Sequence, residues 1–177
     1  VRANYTWSHS YGNYEGMVRS DNGQDDAGIT TLYDFAGLVE GAFGDLPNDR
    51  RHSFKAFAAY EVAPGLQMSL SGNWYTGRPI NAFGVHPTDS FAALYGAESF
   101  FNQGVFTPRA TLGRTANVTN VDFGLKYVRD FGANTLTFRA DVFNIFNFDT
   151  AIQVDEVADE ESGVASATYG LPTAFQR

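Results

Sequence analysis

Five segments of the chain alternate between apolar and polar residues with a period of two. In the first of them, Tyr5 and Trp7 lie on one side and Asn4 and Thr6 on the other. Such alternation is typical of β-strands whose two faces meet different surroundings. We therefore predict strands near residues 1–14, 51–62, 66–76, 117–128 and 135–147.

The connections between these segments alternate between long and short. The long ones cover residues 17–50, 78–115 and 149–177, and the short ones cover residues 63–65 and 129–134. Consecutive strands usually pair, so an antiparallel meander would place every long loop at one end of the sheet. Loops of this length are uncommon in compact soluble domains. Outer-membrane barrels, in contrast, combine long extracellular loops with short periplasmic turns.

The pattern predicts an all-β fold, an antiparallel up-and-down transmembrane β-barrel segment of five strands. The alternative is a soluble β-sandwich, whose strands alternate in the same way. Aromatic residues near the predicted strand ends, such as Tyr11 and Trp74, favour the barrel because aromatic girdles lie at membrane interfaces. The sequence contains no run of about 18 apolar residues, so no transmembrane helix is expected.

In each predicted strand the residues alternate between two faces, and the charged residues all belong to the same one of these two sets of positions, which we call a parity. Because Arg or Lys on the lipid face near the bilayer midplane costs about 2–4 kcal/mol, we expect this parity to face the lumen of the barrel. The carboxylates and cations of the last two strands are expected to pair across those strands. The apolar parity, expected to face lipid, includes Phe54, Leu70, Phe123, Phe138 and Val142. The residues predicted to line the lumen are Lys55, Glu61, Asp122, Lys126, Arg139 and Asp141.

Composition and charge narrow the possible functions. The chain has 16 Phe, 9 Tyr and 18 Gly, a mixture that favours strands and turns. Its net charge of -8 argues against a nucleic-acid partner. The negative charge is concentrated in the long loops, which hold 15 of the 20 acidic residues but only 6 of the 12 basic residues. Without Cys, neither a disulfide framework nor a thiolate metal site is possible. No nucleophile–base or cofactor motif is present, so neither an enzyme nor a cofactor is expected.

Metal binding has few candidates in the sequence. His9, His52 and His86 are scattered, without the spacing typical of zinc ligands, so we predict no metal site there. Residues 21–26 supply oxygen ligands as calcium loops do, but they lack the EF-hand spacing. A solvated turn is the first interpretation of this stretch, and calcium binding is the alternative. The acidic run at residues 155–161 is interpreted as a solvated loop.

Several motifs resemble those of a known family. Residues 139–147, Arg-Ala-Asp-Val-Phe-Asn-Ile-Phe-Asn, are similar to the penultimate strand of TonB-dependent outer-membrane receptors. Residues 75–79, Tyr-Thr-Gly-Arg-Pro, resemble the top of an earlier strand in the same family. Residues 13–16, 20–26 and 46–50 resemble the Oar-like branch of these receptors. The motifs keep the family's order along the whole chain.

The residues inside these motifs have a structural interpretation. Asn144 and Asn147 are expected to satisfy backbone groups at the end of a strand. Residues 77–79, Gly-Arg-Pro, are expected to end a strand and begin a loop.

The resemblance implies that residues 1–177 are the C-terminal part of a β-barrel of roughly 22 strands, without its plug domain, coupling box and final strand. It implies a receptor in the outer membrane, with the long loops extracellular, that takes up a scarce solute. Energy would come from an inner-membrane coupling complex of the TonB type that acts through the plug. The expected partners are outer-membrane lipid, that complex and an extracellular ligand that the sequence does not identify. A passive pore or structural barrel without energy coupling is the alternative function.

Overall fold

The alternating segments form the strands of one antiparallel sheet. The computed structural model describes residues 1–21, 23–24, 30–160 and 164–176, and it is all-β, with 46% strand and 5% helix. In chain order the elements of the described residues are β1 (Arg2–Trp7), β2 (Tyr11–Gly12), α1 (Ala36–Val39), β3 (Gly44–Asp45), β4 (His52–Ala63), β5 (Leu66–Tyr75), α2 (Ser90–Ala93), β6 (Phe101–Asn102), β7 (Val105–Phe106), β8 (Val118–Phe131), β9 (Asn134–Val142), β10 (Ala151–Val154) and β11 (Pro172–Phe175).

Five of these strands form the sheet in the order β1-β4-β5-β8-β9, and each pair of neighbours is antiparallel. The predicted all-β fold and the pairing of consecutive long strands are thereby confirmed. The first and last strands are shorter than predicted. β1 ends at Trp7, after which the Ser8 N–H donates to the Arg51 carbonyl (3.1 Å) and β2 pairs with β3. β9 ends at Val142 rather than near residue 147.

Short turns join β4 to β5 and β8 to β9 at one end of the sheet. Gly65 lies in the first turn with a φ of 78°, and a Cβ there would overlap the carbonyl oxygen of Val128 on the neighbouring strand. The Val128 N–H donates to the Gly65 carbonyl at 2.7 Å. Gly132 takes the same left-handed region in the second turn, with a φ of 62°, where glycine is free of strain. The long connections therefore lie at the opposite end.

One face of the sheet is covered by apolar and aromatic side chains, and we call it the apolar face. The register aligns Phe54 with Trp74 and Leu70 with Phe123, so the face continues from strand to strand. Leu70 is 48% exposed. The residues that the sequence assigns to this parity, Phe54, Leu70, Phe123, Phe138 and Val142, all lie on this face.

The buried core lies in the long loops rather than in the sheet. Leu32, Ala42, Phe83 and Phe100 form a cluster in which no residue is more than 2% exposed. The rings of Phe83 and Phe100 are 5.2 Å apart between centroids, and α1 packs against α2. We call the described residues of 8–51, 76–117 and 143–176 the loop layer. Within the described part of the chain, no helix is long and apolar enough to cross a membrane.

The third long loop contains a hairpin that the sequence pattern does not predict. β10 and β11 pair in an antiparallel manner, with register shifts. After this hairpin the side-chain amide of Gln176 behaves like a backbone peptide: it accepts from the Thr119 N–H (3.3 Å) and donates to the Thr119 carbonyl. The Ile145 N–H donates to the Val121 carbonyl at 2.8 Å. These contacts extend the pairing of β8 beyond the end of β9.

Candidate functional site

The six residues predicted to line a lumen lie on the face opposite the apolar face, which we call the polar face. The register aligns Glu61 with Gln67, Gln67 with Lys126, and Lys126 with Arg139, in one row across four strands. The other three lie on the same side by strand alternation. That this face lines a lumen remains a prediction. The polar face carries Lys55, Glu61, Asp122, Lys126, Arg139 and Asp141, together with Gln67, Ser69 and Ser71.

The two cations of this row stand directly opposite each other. Lys126 and Arg139 are cross-strand partners, an arrangement that is unfavourable for like charges. Arg139 is neutralised within its own strand, because its Nε and Nη2 donate to the two oxygens of Asp141 at 2.7 and 3.2 Å. The predicted pairing of Asp122 and Lys126 with Arg139 and Asp141 across the strands is therefore wrong.

Two further carboxylates of the polar face accept hydrogen bonds from neighbouring groups. Asp122 accepts hydrogen bonds from the Asn144 N–H (2.9 Å) and from the Asn120 side chain (3.1 Å). Glu61 accepts one from the Gly65 N–H in the turn (3.1 Å). The two lysines of this face, in contrast, form no ion pair with any residue that the structure describes. The face therefore carries two ammonium groups that form no ion pair within the described residues.

A groove of about 400 Å³ runs along the polar face. Its base lies at Gly124, where a Cβ would come within 2.5 Å of the Ser69 hydroxyl oxygen and 2.9 Å of an Asp141 oxygen. The groove offers hydroxyl, amide and charged groups beside one phenyl ring, so it can hold polar and ionic groups by hydrogen bonds and ion pairs. Its walls include Phe57, Gln67, Ser69, Lys126, Arg139 and Asp141.

A second group of charges lies inside the loop layer, around Asp21. Asp21 is 5% exposed; its Oδ1 accepts from Arg19 Nε (3.1 Å), and its Oδ2 accepts from Arg109 Nη1 (2.6 Å) and Asn81 Nδ2 (3.2 Å). The two guanidinium groups also lie over the ring of Phe100, at 5.5 and 4.8 Å from its centroid. One buried carboxylate thus joins the first long loop to the second.

The third long loop is joined to the second through Glu156 and Asp159, which are 4% and 2% exposed. Oε1 of Glu156 accepts from the Asn81 N–H at 2.7 Å, and Oε2 pairs with Arg78. Burial raises the pKa of Glu156 to about 7, against the opposing effect of the Arg78 charge. The interpretation of residues 155–161 as a solvated run is wrong for these two carboxylates.

The raised pKa of Glu156 predicts that the loop layer loses stability as the pH rises toward 7. In an unfolded loop this carboxyl has a pKa of 4.5, and in the folded loop about 7, so the folded state binds more protons between these values. The contribution of this group is therefore largest below about pH 4.5 and is lost as the pH rises through about 7, a change of about 3 kcal/mol. Thermal unfolding between pH 5 and 8 measures it. Glu156→Gln cannot titrate and should flatten the dependence, so an unchanged slope would argue against this origin.

Asp45 and Asp49 form a third group of ion pairs, where the first long loop meets the sheet. Asp45 Oδ2 lies 2.7 Å from Arg114 Nη2 and 2.8 Å from Arg51 Nη2, and both arginines also contact Asp49. His9 Nε2 lies 2.7 Å from Asp45 Oδ1. Burial opposes the ionisation of both carboxyls, but the hydrogen bonds and cations outweigh it and lower the pKa of Asp45 and of Asp49. Both are charged at neutral pH.

The other two histidines also have their own partners. His86, 5% exposed, accepts two backbone N–H groups through Nδ1 (2.9 and 3.2 Å) and contacts Glu40 through Nε2 (3.2 Å). His52 Nδ1 lies 2.7 Å from the Tyr5 hydroxyl. Among the described residues, no group of three or more His, Asp or Glu is placed to hold a metal ion. In the calcium candidate at 21–26, residues 22, 25 and 26 lie outside the described residues.

The residues of the family motifs stabilise the backbone at the ends of strands. Asn144 has a φ of 49°, and its side chain accepts from the Phe148 N–H and donates to the Phe148 carbonyl, each at 2.9 Å. This confirms its expected role. Asn147 shares the left-handed region, with a φ of 52°, which asparagine tolerates. A Cβ at Gly77 would overlap the carbonyl oxygen of Thr115, so this position just after β5 requires glycine.

Comparison with known proteins relates the chain to one kind of transporter. The chain is 37% identical over 162 residues to the TonB-dependent transporter Oar of Myxococcus xanthus, and the match covers 88% of this chain. The chain spans 14% of the length of that relative. No protein-family model matches the chain, and no solved structure matches it significantly. The similarity to Oar confirms, over most of the chain, the resemblance to Oar-like TonB-dependent receptors that its motifs predict.

Proposed function

We propose that this chain is part of the barrel wall of a TonB-dependent outer-membrane receptor that takes up a solute from outside the cell. Residues 1–177 would form the C-terminal part of that wall. The similarity to a TonB-dependent transporter supports this proposal, as do the two unlike faces of the five-stranded sheet. The activity, the solute and the partners of the whole protein are part of the proposal.

The observation that carries the proposal is the exposure of the apolar face. Trp7, Tyr60, Leu70, Phe138 and Val142 are between 48% and 73% exposed. Monomeric soluble proteins rarely expose a continuous apolar surface of this kind, whereas the outer surface of a membrane barrel is apolar over the height of the hydrocarbon layer. In a bilayer the sheet would continue into further strands, because each unpaired backbone group at an edge costs several kcal/mol.

In this proposal the polar face lines a water-filled lumen, and the loop layer lies outside the cell. The polar face would not contact lipid, because Lys or Arg near the bilayer midplane costs about 2–4 kcal/mol. The short turns would then face the periplasm. The groups proposed to face water or solute are those of Lys55, Glu61, Asp122, Lys126, Arg139 and Asp141.

The proposed energy source is an inner-membrane coupling complex of the TonB type. It is inferred from the name of the related transporter and therefore rests on analogy. A passive pore would need no such complex. Uptake by cells that lack the coupling complex separates the two functions: it should stop for a receptor and continue for a pore.

Impermeant labelling of intact cells tests the proposed topology. Residues 1–177 contain no Cys, so single Cys replacements at Tyr33 in the loop layer and at Pro64 in the β4–β5 turn each introduce one exposed thiol into this part of the protein. We expect Tyr33→Cys to react with a membrane-impermeant maleimide on intact cells. Pro64→Cys should react only after the outer membrane is permeabilised. The reverse pattern would invert the orientation, and equal labelling of both sites on intact cells would rule out a membrane-spanning wall.

A further inference from the structure

Four arginines and three carboxylates meet where the loop layer joins the sheet, and we call them the arginine cluster. Each carboxylate is already paired: Asp45 and Asp49 with Arg51 and Arg114, and Glu156 with Arg78. None of these three carboxylates forms an ion pair with the fourth arginine, Arg50, within the described part of the chain. The members of the cluster are Arg50, Arg51, Arg78, Arg114, Asp45, Asp49 and Glu156.

Arg50 is the arginine that remains without a carboxylate partner among the described residues. Its guanidinium carbon lies 5.6 Å from the centroid of the Tyr75 ring. Its Nη1 is buried and makes no hydrogen bond within the described part of the chain. Burial lowers the pKa of Arg50, as do the nearby charges of Arg78 and Arg114, and this outweighs the opposing effect of Tyr75 and Asp49. The net lowering reflects the cost of holding a cation there. A buried polar atom without a hydrogen bond is destabilising.

Arg50 lies beside the polar face, because Tyr75 belongs to that face. The register pairs Tyr75 with Ser53. The next pair on the polar face is Asn73 with Lys55, two residues further along each strand. Two residues along a strand span about 7 Å, so the Lys55 position lies about that far along the sheet from the Tyr75 ring that Arg50 approaches. Lys55 also forms no ion pair with a described residue. Two cations without partners therefore lie at the loop end of the polar face.

We propose that Arg50, with Lys55 beside it, binds an oxyanion, either a carboxylate or a phosphate group. The N–H groups of a guanidinium lie in one plane and can bind such anions through two parallel hydrogen bonds. The oxyanion would supply the negative charge that the cluster lacks. This inference deepens the proposed function, because it names a chemical group that the polar face would recognise. The group can belong to a solute or to another part of the protein.

Binding of inorganic phosphate to the purified full-length protein tests the site. Broadening of the ³¹P resonance of phosphate gives the affinity without any measurement of transport, so a failure of this test is distinct from a failure of uptake. We expect Arg50→Gln to weaken binding by about tenfold or more, and Arg50→Lys to retain part of it, because Lys keeps the charge but loses the two parallel hydrogen bonds. Arg129→Gln, which changes an arginine at the short-turn end of β8, is the matched control and should bind like the wild type.

A carboxylate of the protein itself in the site would give a different result. Phosphate would then not bind to the wild type, and Arg50→Gln would lower the midpoint of thermal unfolding relative to Arg50→Lys and Arg129→Gln. That difference should shrink in 1 M salt, since salt at about this concentration screens charges over roughly 3 Å. Either result supports an oxyanion at Arg50 and identifies its source. If Arg50→Gln changes neither phosphate binding nor the salt-dependent stability, the site does not exist.

Discussion

Replacing Phe138 by Arg is expected to lower strongly the fraction of the full protein that folds into bilayers. Phe138 lies in the middle of β9 on the apolar face and is 57% exposed. A guanidinium on the lipid face near the bilayer midplane costs about 2–4 kcal/mol, which lowers the folding equilibrium constant by roughly 30- to 1000-fold. Transfer from urea into lipid vesicles, followed by a heat-modifiable gel shift, measures the folded fraction.

Thr137→Arg is the matched control for this change. Thr137 precedes Phe138 on the same strand, is also exposed, and faces the polar side opposite Val128. An arginine there would reach water in the lumen, so we expect a loss below about 1 kcal/mol. If the two substitutions impair folding equally, the faces have been assigned incorrectly. If neither does, the apolar face does not meet lipid.

Asp21→Asn is expected to loosen the loop layer while the sheet stays folded. Arg19 and Arg109 are 2% and 3% exposed. The neutral amide would leave Arg109 without a carboxylate partner among the described residues, whereas Arg19 would keep Glu98 at 3.0 Å. Removing one partner from a buried ion pair costs about 3–5 kcal/mol. We expect faster cleavage within the loop layer by a soluble protease, with the fragments identified by mass spectrometry.

Asp34→Asn is the matched control for Asp21→Asn. Asp34 lies in the same loop, and it accepts a hydrogen bond from the Tyr95 hydroxyl at the surface (2.8 Å). At the surface, water can replace such a hydrogen bond, so its loss lowers the stability by about 1 kcal/mol or less. Protease resistance should therefore not change. Equal resistance of the two variants would show that the buried charges around Asp21 do not hold the loops together.

The sheet could be predicted from the sequence because strand alternation is local. In Leu66–Tyr75 every second residue belongs to the same face, and the Ala-Pro-Gly stretch before it supplies a tight turn. The ends of the strands could not be predicted, because they depend on distant partners. The apolar alternation continues past Trp7, yet the backbone N–H of Ser10 bonds Asp49 (2.7 Å) and its carbonyl accepts from Leu46 (2.9 Å). These loop residues draw the chain away from the sheet.

The loop layer could not be predicted because its pairs are remote along the chain. Arg78 and Glu156 are 78 residues apart, and Asp21 and Arg109 are 88 apart. No spacing rule connects residues at such distances, so an acidic run such as 155–161 is naturally read as solvated.

The ion pairs of the polar face depend on register in the same way. A shift of two residues between β8 and β9 would place Asp141 opposite Lys126, where the observed register places Arg139. The sequence determines which residues share a face, because side chains alternate. It does not determine which of them are neighbours across the strands.

Site-directed spin labelling along β5 tests most directly whether this sheet separates lipid from water. Single Cys replacements from residue 66 to residue 75, in the full protein folded into bilayers, place a nitroxide alternately on the apolar and the polar face. We expect high collision rates with oxygen, which dissolves in lipid, at residues 66, 68, 70, 72 and 74. Collision rates with a water-soluble nickel chelate should be high at residues 67, 69, 71, 73 and 75. Nickel access at every position, or no alternation with a period of two, would mean that the sheet is not a barrel wall.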